Sequence, residues 1–175
     1  MNTSGDERRN KILNAIGADA RPISASALAL SFGVSRQVIV SDVAILRASG
    51  HDIIATARGY MMERPPAGRY LGRVAVKHSR ARTRDELMAI VGAGCVVVDV
   101  TVTHPFYGDL TGSLNLATAA DVDEFIEHVE SKKGKLLLDL TGGVHMHAIS
   151  CESKDAFAEV QSKLSRMGIL LPATS

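Results

Sequence analysis

The chain has 175 residues, of which 46% are hydrophobic, so it can form one large domain or two small ones with a packed core. This composition excludes a largely disordered chain. No run of about 18 apolar residues predicts a membrane-spanning helix. The polar segment 1–11 also lacks the apolar stretch of a secretory signal peptide, so we expect a protein without a membrane partner.

The charge is distributed unevenly along the chain. Residues 1–70 hold 9 Lys/Arg and 6 Asp/Glu (+3), and residues 71–175 hold 11 and 13 (−2), which sums to the formal net charge of +1. The basic first part favours a nucleic-acid contact there, although the bias is small. Cys95 and Cys151 share no metal-binding spacing and are expected to be free thiols.

The first two predicted helices are separated by a proline. Residues 6–18 place three aliphatic side chains on one helical face and predict a first helix. Pro22 ends this helix, and Ser24 is placed to cap a short second helix. A turn at Gly33 then leads directly into a third helix, which gives the pattern of a helix-turn-helix.

The third helix and the residues after it predict a DNA-binding surface. Ser35 is placed to cap this helix, Gly50 to end it, and residues 53–62 predict a short hairpin with a basic tip. This arrangement is typical of a winged helix-turn-helix, and the alternative is a three-helix bundle that binds no DNA. The predicted DNA contacts are Ser35, Arg36, Gln37, Val40, Ser41 and Arg47 on the helix and Arg58 on the hairpin.

Residues 63–70, which include two prolines and a glycine, predict a linker between two domains. The first domain, residues 1–62, is then the winged helix-turn-helix. Residues 71–175 show the order β-α-β-β-α-β-β-α, with residues 136–140 as one of the strands. This order predicts an α+β fold, a two-layer sandwich of an antiparallel sheet and helices.

Two histidines on one predicted strand are the first candidates for chemistry. His145 and His147 stand two residues apart, so both rings leave the same face of the strand. His78 ends an earlier strand and Glu86 opens the next helix, where a two-layer fold could place them alongside. Three imidazoles and a carboxylate suit Zn²⁺, Ni²⁺, Fe²⁺ or Mn²⁺. The alternatives are half-exposed strand histidines and a Glu86 that only completes a capping box with Thr83.

A basic cluster and a shaped loop suggest a small acidic ligand in the same domain. The cluster is either a solvated surface or an attraction for an anion, and its members are Arg73, Lys77, Arg80, Arg82 and Arg84. His104 and Tyr107 lie on a loop restrained by Pro105 and Gly108, where a ring stack and a hydrogen bond could bind a planar acid. The predicted effector contacts are His104, Tyr107 and Arg82.

Several long motifs resemble those of one known family. Residues 34–60 resemble the helix-turn-helix of the nicotinate-responsive repressors of NAD biosynthesis, the NiaR family. The second half resembles their 3H domain, and the resemblance covers about residues 6–165 in the expected order. The segments that carry it are VSRQVIVSDVAILRASG and IIATARGY, His78 with Glu86, DVTVTHPFYGDL (99–110), DVDEF (121–125) and LTGGVHMHAI (140–149).

This resemblance implies a cytoplasmic transcriptional repressor that binds double-stranded operator DNA as a homodimer. Nicotinic acid would be the co-repressor, and the controlled genes would serve NAD biosynthesis or niacin uptake. It also implies an HPr-like sandwich for residues 71–175 with a divalent transition metal. The ligands implied for that metal are His78, Glu86, His145 and His147.

Two other functions remain open. A metal-responsive regulator would bind no organic effector, and a metal-dependent hydrolase would use the ion to activate water. Four protein ligands argue against the hydrolase, because a tetrahedral site would then have no open position. We therefore expect a regulator rather than an enzyme.

Overall fold

The structure is a computed structural model that describes residues 5–63 and 68–172. The chain divides into two compact units, Met1–Pro65 and Pro66–Ser175. Residues 64–67 of the predicted linker lie outside the described residues, and Tyr70 at its end already belongs to a strand.

The N-terminal unit contains three helices and a hairpin. They are α1 (Gly5–Ala18), α2 (Ala25–Phe32), α3 (Arg36–Ala48), β1 (Ile53–Thr56) and β2 (Gly59–Met62). The Ser24 and Ser35 hydroxyls accept backbone N–H groups in the first turns of α2 and α3, at 3.0 and 3.3 Å. Gly33 and Gly50 follow these two helices with positive φ angles of 63° and 92°. The predicted winged helix-turn-helix is confirmed.

The core of this unit joins α1 to α3. Ile12 and Ile16 of α1 are fully buried, as are Ile39 and Val43 of α3. The hairpin attaches to the segment before α2, because the Ile23 and Tyr60 backbones exchange two hydrogen bonds of 2.9 Å. This approach requires glycine at position 59, where a Cβ would lie 2.3 Å from the Ile23 carbonyl oxygen.

Asp42 is a buried charge in this otherwise apolar core. It lies on α3 with 3% of its surface exposed. The Arg8 Nε donates to its carboxylate at 2.6 Å, and an Arg9 Nη donates at 3.2 Å. Both arginines belong to α1, so these hydrogen bonds fix α1 against the predicted recognition helix.

The C-terminal unit is an antiparallel sheet with helices. Its elements are β3 (Tyr70–Lys77), α4 (Thr83–Val91), β4 (Val96–His104), β5 (Gly108–Leu116), α5 (Ala119–Ser131), β6 (Val144–Cys151) and α6 (Lys154–Arg166). The strand order is β5-β4-β6-β3, and every neighbouring pair is antiparallel. Helix α4 contacts both α5 and α6. The predicted α+β sandwich is confirmed.

The helices of the described residues are short, and the longest, α1, has 14 residues. None of them by itself is long and apolar enough to cross a membrane. Helices α2 and α3 meet the length and composition criteria only as a pair, which is bent by 105°.

The predicted strand over residues 136–140 is wrong, because Leu137–Leu140 form a 3-10 helix. The Leu136 N–H donates to the Asp139 carboxylate at 2.9 Å, and the Gly143 N–H donates to the Leu138 carbonyl at 2.9 Å. These local bonds coil the segment on itself. The apolar run therefore covers the sheet without entering it, and the element order becomes β-α-β-β-α-β-α.

The predicted capping box of α4 is also wrong. A 3-10 turn over Arg80–Arg82 leads straight into the helix, so Arg82 takes the N-cap position and Thr83 has helical dihedral angles. The Thr83 hydroxyl is buried without a hydrogen-bond partner among the described residues. Glu86 is fully buried and faces the histidines.

The two cysteines are not free, which corrects the expectation from sequence. Cys95 and Cys151 form a disulfide with a Cα–Cα distance of 4.4 Å. Val96 and Ser150 are paired in the β4–β6 register, so the adjacent cysteines on these neighbouring strands are brought opposite each other. Sequence spacing could not reveal this, because 56 residues separate them.

Candidate metal centre and DNA-binding surface

Three histidines converge on the Glu86 carboxylate in the C-terminal unit. The Nε2 atoms of His78 and His145 lie 2.6 and 3.3 Å from Glu86 Oε2. The Nε2 of His147 lies 3.4 Å from the other oxygen, Oε1. All four side chains are at least 97% buried, so the cluster is closed to bulk water.

Backbone carbonyls orient all three imidazole rings. The Nδ1 atoms of His78, His145 and His147 lie 2.9, 2.9 and 2.6 Å from carbonyl oxygens, and therefore donate to them. With Nδ1 as the donor, the Nε2 of a neutral imidazole carries a lone pair. When the rings are neutral, all three lone pairs are directed towards Glu86, and when a ring is protonated its Nε2–H points there. The accepting carbonyls belong to Ser79, Gly143 and Asp99.

Asp99 supports the cluster through both its backbone and its side chain, a role that sequence analysis did not assign. Its carbonyl accepts from His147, and its Oδ1 accepts the Ala148 N–H at 3.0 Å. The register between β4 and β6 shifts between Val97 and Thr101, and Asp99 lies within this irregular part of the strand. An aspartate inside the β-branched run CVVVDVTV was the available signal.

The metal-free cluster stabilises both a carboxylate and imidazolium charge. Burial raises the pKa of Glu86, but the charge of His147 and the hydrogen bonds with His145 and His78 together outweigh it and hold that pKa well below its usual range. Burial lowers the pKa of His78, but the Glu86 carboxylate and the hydrogen bond to the Ser79 carbonyl together outweigh burial, so this pKa is raised. Burial also lowers the pKa of His147, and the negative charge of Glu86 together with the contacts to Asp99 raises it overall.

The donor set fits a divalent cation. One carboxylate oxygen of Glu86 and the His147 Nε2 are buried without hydrogen-bond partners among the described residues. Ligand atoms of His78, Glu86 and His145 all lie within 4.8 Å of one another. Buried carboxylate and imidazole lone pairs that face each other repel unless protons or a cation lie between them. Ring nitrogens fixed by hydrogen bonds at Nδ1 are also typical of protein metal sites.

A small cavity lies beside this cluster and is lined by Glu86, His145 and His147, but the predicted effector contacts do not line it. His104 and Tyr107 stack at 5.0 Å between ring centroids, and Tyr107 is 76% exposed. An Arg82 Nη donates to the Met167 carbonyl at 2.9 Å, at the end of α6. Among the described residues, none of these three side chains lines that cavity.

The basic cluster is largely paired. Arg80 donates to Asp139 at 3.2 Å, and Arg84 donates to Asp123 at 2.8 and 2.9 Å. With Arg82 bound to a carbonyl, three of the five basic residues already have partners. Exposed ion pairs of this kind contribute little stability and can exchange partners.

The predicted DNA contacts divide into two groups. Arg36, Gln37, Ser41 and Arg47 are exposed on α3, as is Ser35 at its N-cap, although the Ser35 hydroxyl is engaged in the cap. Val40 is half-buried and packs against the hydrophobic core, and Arg58 at the hairpin turn is half-buried. The exposed group places polar and basic side chains on the first two turns of α3 and at its end.

Two protein families match the chain, an HTH domain over residues 8–61 and a 3H domain over residues 72–173. A protein of Thermotoga maritima named Probable transcription repressor NiaR is 37% identical over 172 residues, which cover 98% of this chain and 97% of the relative. The chain belongs to the NiaR family of transcription repressors. A Bacillus subtilis relative, Transcription repressor NadR, is 35% identical over 170 residues, covering 95% and 94% of the two chains.

Membership of the NiaR family assigns roles to the two units. The chain is a DNA-binding transcription repressor, with the winged helix-turn-helix in its HTH domain and the histidine cluster in its 3H domain. It is therefore a transcription regulator, like the relatives named above.

Proposed function

We propose that this repressor uses nicotinic acid as its co-repressor and controls genes of NAD biosynthesis or niacin uptake. It acts in the cytoplasm as a homodimer on double-stranded operator DNA. The observation that carries the proposal is the buried cluster of three histidines and Glu86 in a 3H domain, on a chain that resembles the nicotinate-responsive repressors over nearly its whole length.

The proposed metal ligands are His78, Glu86, His145 and His147. They come from the end of β3, from α4 and from β6, so one ion joins three separate elements. A bound Ni²⁺, Zn²⁺, Fe²⁺ or Mn²⁺ would supply positive charge to a buried carboxylate and three lone pairs. The hydrogen bonds to the carbonyls of Ser79, Asp99 and Gly143 fix the ring orientations, so that the Nε2 atoms can bind such an ion.

The proposed DNA contacts follow from the exposed surface of α3. Arg36, Gln37 and Ser41 meet base edges in the major groove, and Arg47 meets phosphate. Arg58 on the hairpin reaches phosphate or the minor groove. In a homodimer, two such helices about 34 Å apart would match half-sites separated by one turn of DNA.

The effector acts by selecting one conformation. Nicotinic acid binds the DNA-competent state of the dimer more tightly than the other state, and by reciprocity operator DNA tightens nicotinic-acid binding. A ligand with equal affinity for the two states would leave operator affinity unchanged.

Fluorescence-anisotropy binding to a palindrome from the protein's own upstream region tests this function. Binding is measured without ligand, with nicotinic acid, with nicotinamide and with a chelator, and each measurement is made at two salt concentrations. We expect nicotinic acid alone to tighten binding by about 5–150-fold, the usual range of allosteric coupling. Binding that ignores nicotinic acid would contradict the proposal.

A metal-responsive regulator is the second candidate, because the histidine cluster itself could receive the signal. The chelator arm separates the two functions when nicotinic acid is held constant. A structural metal changes the free energy of unfolding, whereas a metal signal changes operator affinity reversibly. Operator binding that follows the metal and ignores nicotinic acid would favour this second candidate.

A further inference from the structure

A small cavity lies beside the histidine cluster. Leu87 of α4 and Phe125 of α5 line it from the helices, Val100 and Leu114 line it from the sheet, and residues 136–138 close it. Its free volume of about 30 Å³ is enough for one or two water molecules, but its wall is almost entirely apolar. Glu86, His145 and His147 form the polar end of the cavity.

Thr83 also lines this cavity, and the histidine cluster does not explain its hydroxyl. The residue is 6% exposed, and its Oγ1 is buried without a hydrogen-bond partner in the part of the chain that the structure describes. The other unpaired atoms at the cavity, on Glu86 and His147, face each other at 3.4 Å within the proposed metal site. A buried hydroxyl without a partner is unfavourable, and a bound water or ligand would satisfy it.

A groove adjoins the cavity at Thr83. Thr83 and Leu136 line both the cavity and a groove of about 520 Å³ that also touches α5. Arg80 and Arg84 line this groove, with Glu130 as the acidic residue beside them. The two arginine side chains are 41% and 52% exposed, and their present ion pairs are with carboxylates. A carboxylate ligand in the groove can take the place of those partners.

We propose that the cavity receives the ring of a monocyclic aromatic carboxylate, with its carboxylate in the groove. The Thr83 hydroxyl donates to the carboxylate, and Arg80 or Arg84 pairs with its charge. This inference rests on the proposed function, because nicotinic acid belongs to this class of ligand. It replaces the loop around His104 and Tyr107 as the effector site.

The ring requires more space than the cavity provides, so part of the wall moves when the ligand binds. Residues 136–143 are the segment that can move. Most of their described backbone hydrogen bonds close within the segment. The exceptions are the His78 N–H, which donates to the Gly143 carbonyl at 3.3 Å, and the Val144 N–H, which donates to the Thr141 carbonyl at 3.4 Å. Segments held by local bonds open at low free-energy cost. That same carbonyl orients His145, so movement of the segment reaches the histidine cluster.

Calorimetric titration of the metal-loaded full chain tests the site with nicotinic acid, benzoic acid and nicotinamide. Thr83→Val removes the hydroxyl at nearly constant volume, and Leu137→Trp fills the cavity from its wall. Thr103→Val, an exposed hydroxyl on β4 away from the cavity, is the matched control. His104→Ala and Tyr107→Ala test the loop. Metal content and circular dichroism report whether each variant is folded.

We expect Thr83→Val to weaken nicotinic-acid binding by about tenfold, the usual effect of losing one hydrogen bond to a charged group. Leu137→Trp abolishes binding, Thr103→Val leaves it within about twofold, and nicotinamide binds more weakly because it lacks the charge. If Leu137→Trp does not fold, Thr83→Val decides alone.

The cavity proposal would be overturned if Thr83→Val bound nicotinic acid with wild-type affinity, or if only the His104 and Tyr107 variants lost affinity for it. The proposed function would still hold in either case. If the wild-type chain binds benzoic acid but not nicotinic acid, and Thr83→Val weakens the binding of benzoic acid, the cavity proposal is supported. Nicotinic acid is then excluded as the effector. If the wild-type chain binds neither acid, the cavity proposal is overturned. The operator-binding arm without ligand then decides the DNA-binding role separately.

Discussion

Glu86 is the residue on which the proposed metal site depends. Its carboxylate is fully buried and faces three imidazoles, two of them through Oε2 and one through Oε1. A buried carboxylate is tolerated only with compensating charge. In this cluster the compensation comes from protons or from a divalent cation.

Glu86→Gln should prevent tight metal binding, because the amide keeps the shape and loses the charge. In the wild type, removing the metal should cost about 3–4 kcal/mol of unfolding free energy when free metal exceeds its Kd by about 100–1,000-fold. The variant should lack this dependence on the metal. Metal content by mass spectrometry and thermal melts with and without chelator measure both effects. His128→Ala, at an exposed histidine, is the control and should retain the metal.

Asp99 positions His147 from the neighbouring strand, so Asp99→Ala should lower metal affinity by about 10–100-fold. The same change leaves the buried Ala148 N–H without its acceptor and should lower the unfolding free energy by about 1–3 kcal/mol. Asp99→Asn retains an acceptor oxygen and should restore most of the stability. Chelator competition and urea unfolding measure the two quantities. Equal metal affinity in the wild type and Asp99→Ala would exclude this positioning role.

At the scale of elements, partly buried ion pairs connect α1 to α3 in the N-terminal unit. Asp42→Ala removes hydrogen bonds from Arg8 and Arg9. It should lower the unfolding free energy by about 1–3 kcal/mol. The arginine side chains are 21% and 22% exposed, so water partly compensates them. Lys11→Ala removes an exposed pair with Glu7 and should change stability by about 0.5 kcal/mol or less. Chemical denaturation of both variants measures the difference.

The contact between β3 and α6 depends on a glycine. A Cβ at Gly72 would lie 2.5 Å from the buried Phe157 ring, so Gly72→Ala should cost about 1–3 kcal/mol through overpacking. Gly112→Ala on β5 is the matched control, because its Cβ would meet Leu137 and Val100 at an ordinary 3.6 Å. The urea midpoint of unfolding should be clearly lower for Gly72→Ala than for Gly112→Ala and the wild type. Equal midpoints would show that the Phe157 ring can move aside.

At the scale of the whole molecule, the proposed DNA contacts and the proposed effector site lie in different units of the chain. Arg36→Ala should weaken operator binding by about 1–3 kcal/mol if Arg36 makes a bidentate guanine contact. The variant should bind nicotinic acid with wild-type affinity when DNA is absent, because Arg36 lies in the N-terminal unit. Anisotropy on operator and random DNA, together with calorimetry, checks both statements. An equal loss on the two DNAs would instead identify a phosphate contact.

Local chemistry in the sequence was sufficient to determine most elements of this protein. Ser24 and Ser35 cap helices because their hydroxyls reach amides two or three residues away, and Gly50 follows α3 with the left-handed conformation expected there. The i, i+2 spacing of His145 and His147 fixed their common face in the same way. Each of these inferences needs no partner outside the segment.

Tertiary structure decided the features that depend on distant partners. The predicted capping box of Thr83 and Glu86 is wrong because the Glu86 carboxylate is buried and contacts His78 and His145 instead of the start of its own helix. Residues 136–140 had the composition of a strand but coiled through local bonds over the sheet. Cys95 and Cys151 met because the β4–β6 register placed them opposite each other. The carbonyls that orient the histidines are backbone atoms common to every residue, so only the fold could show which of them lie at the site.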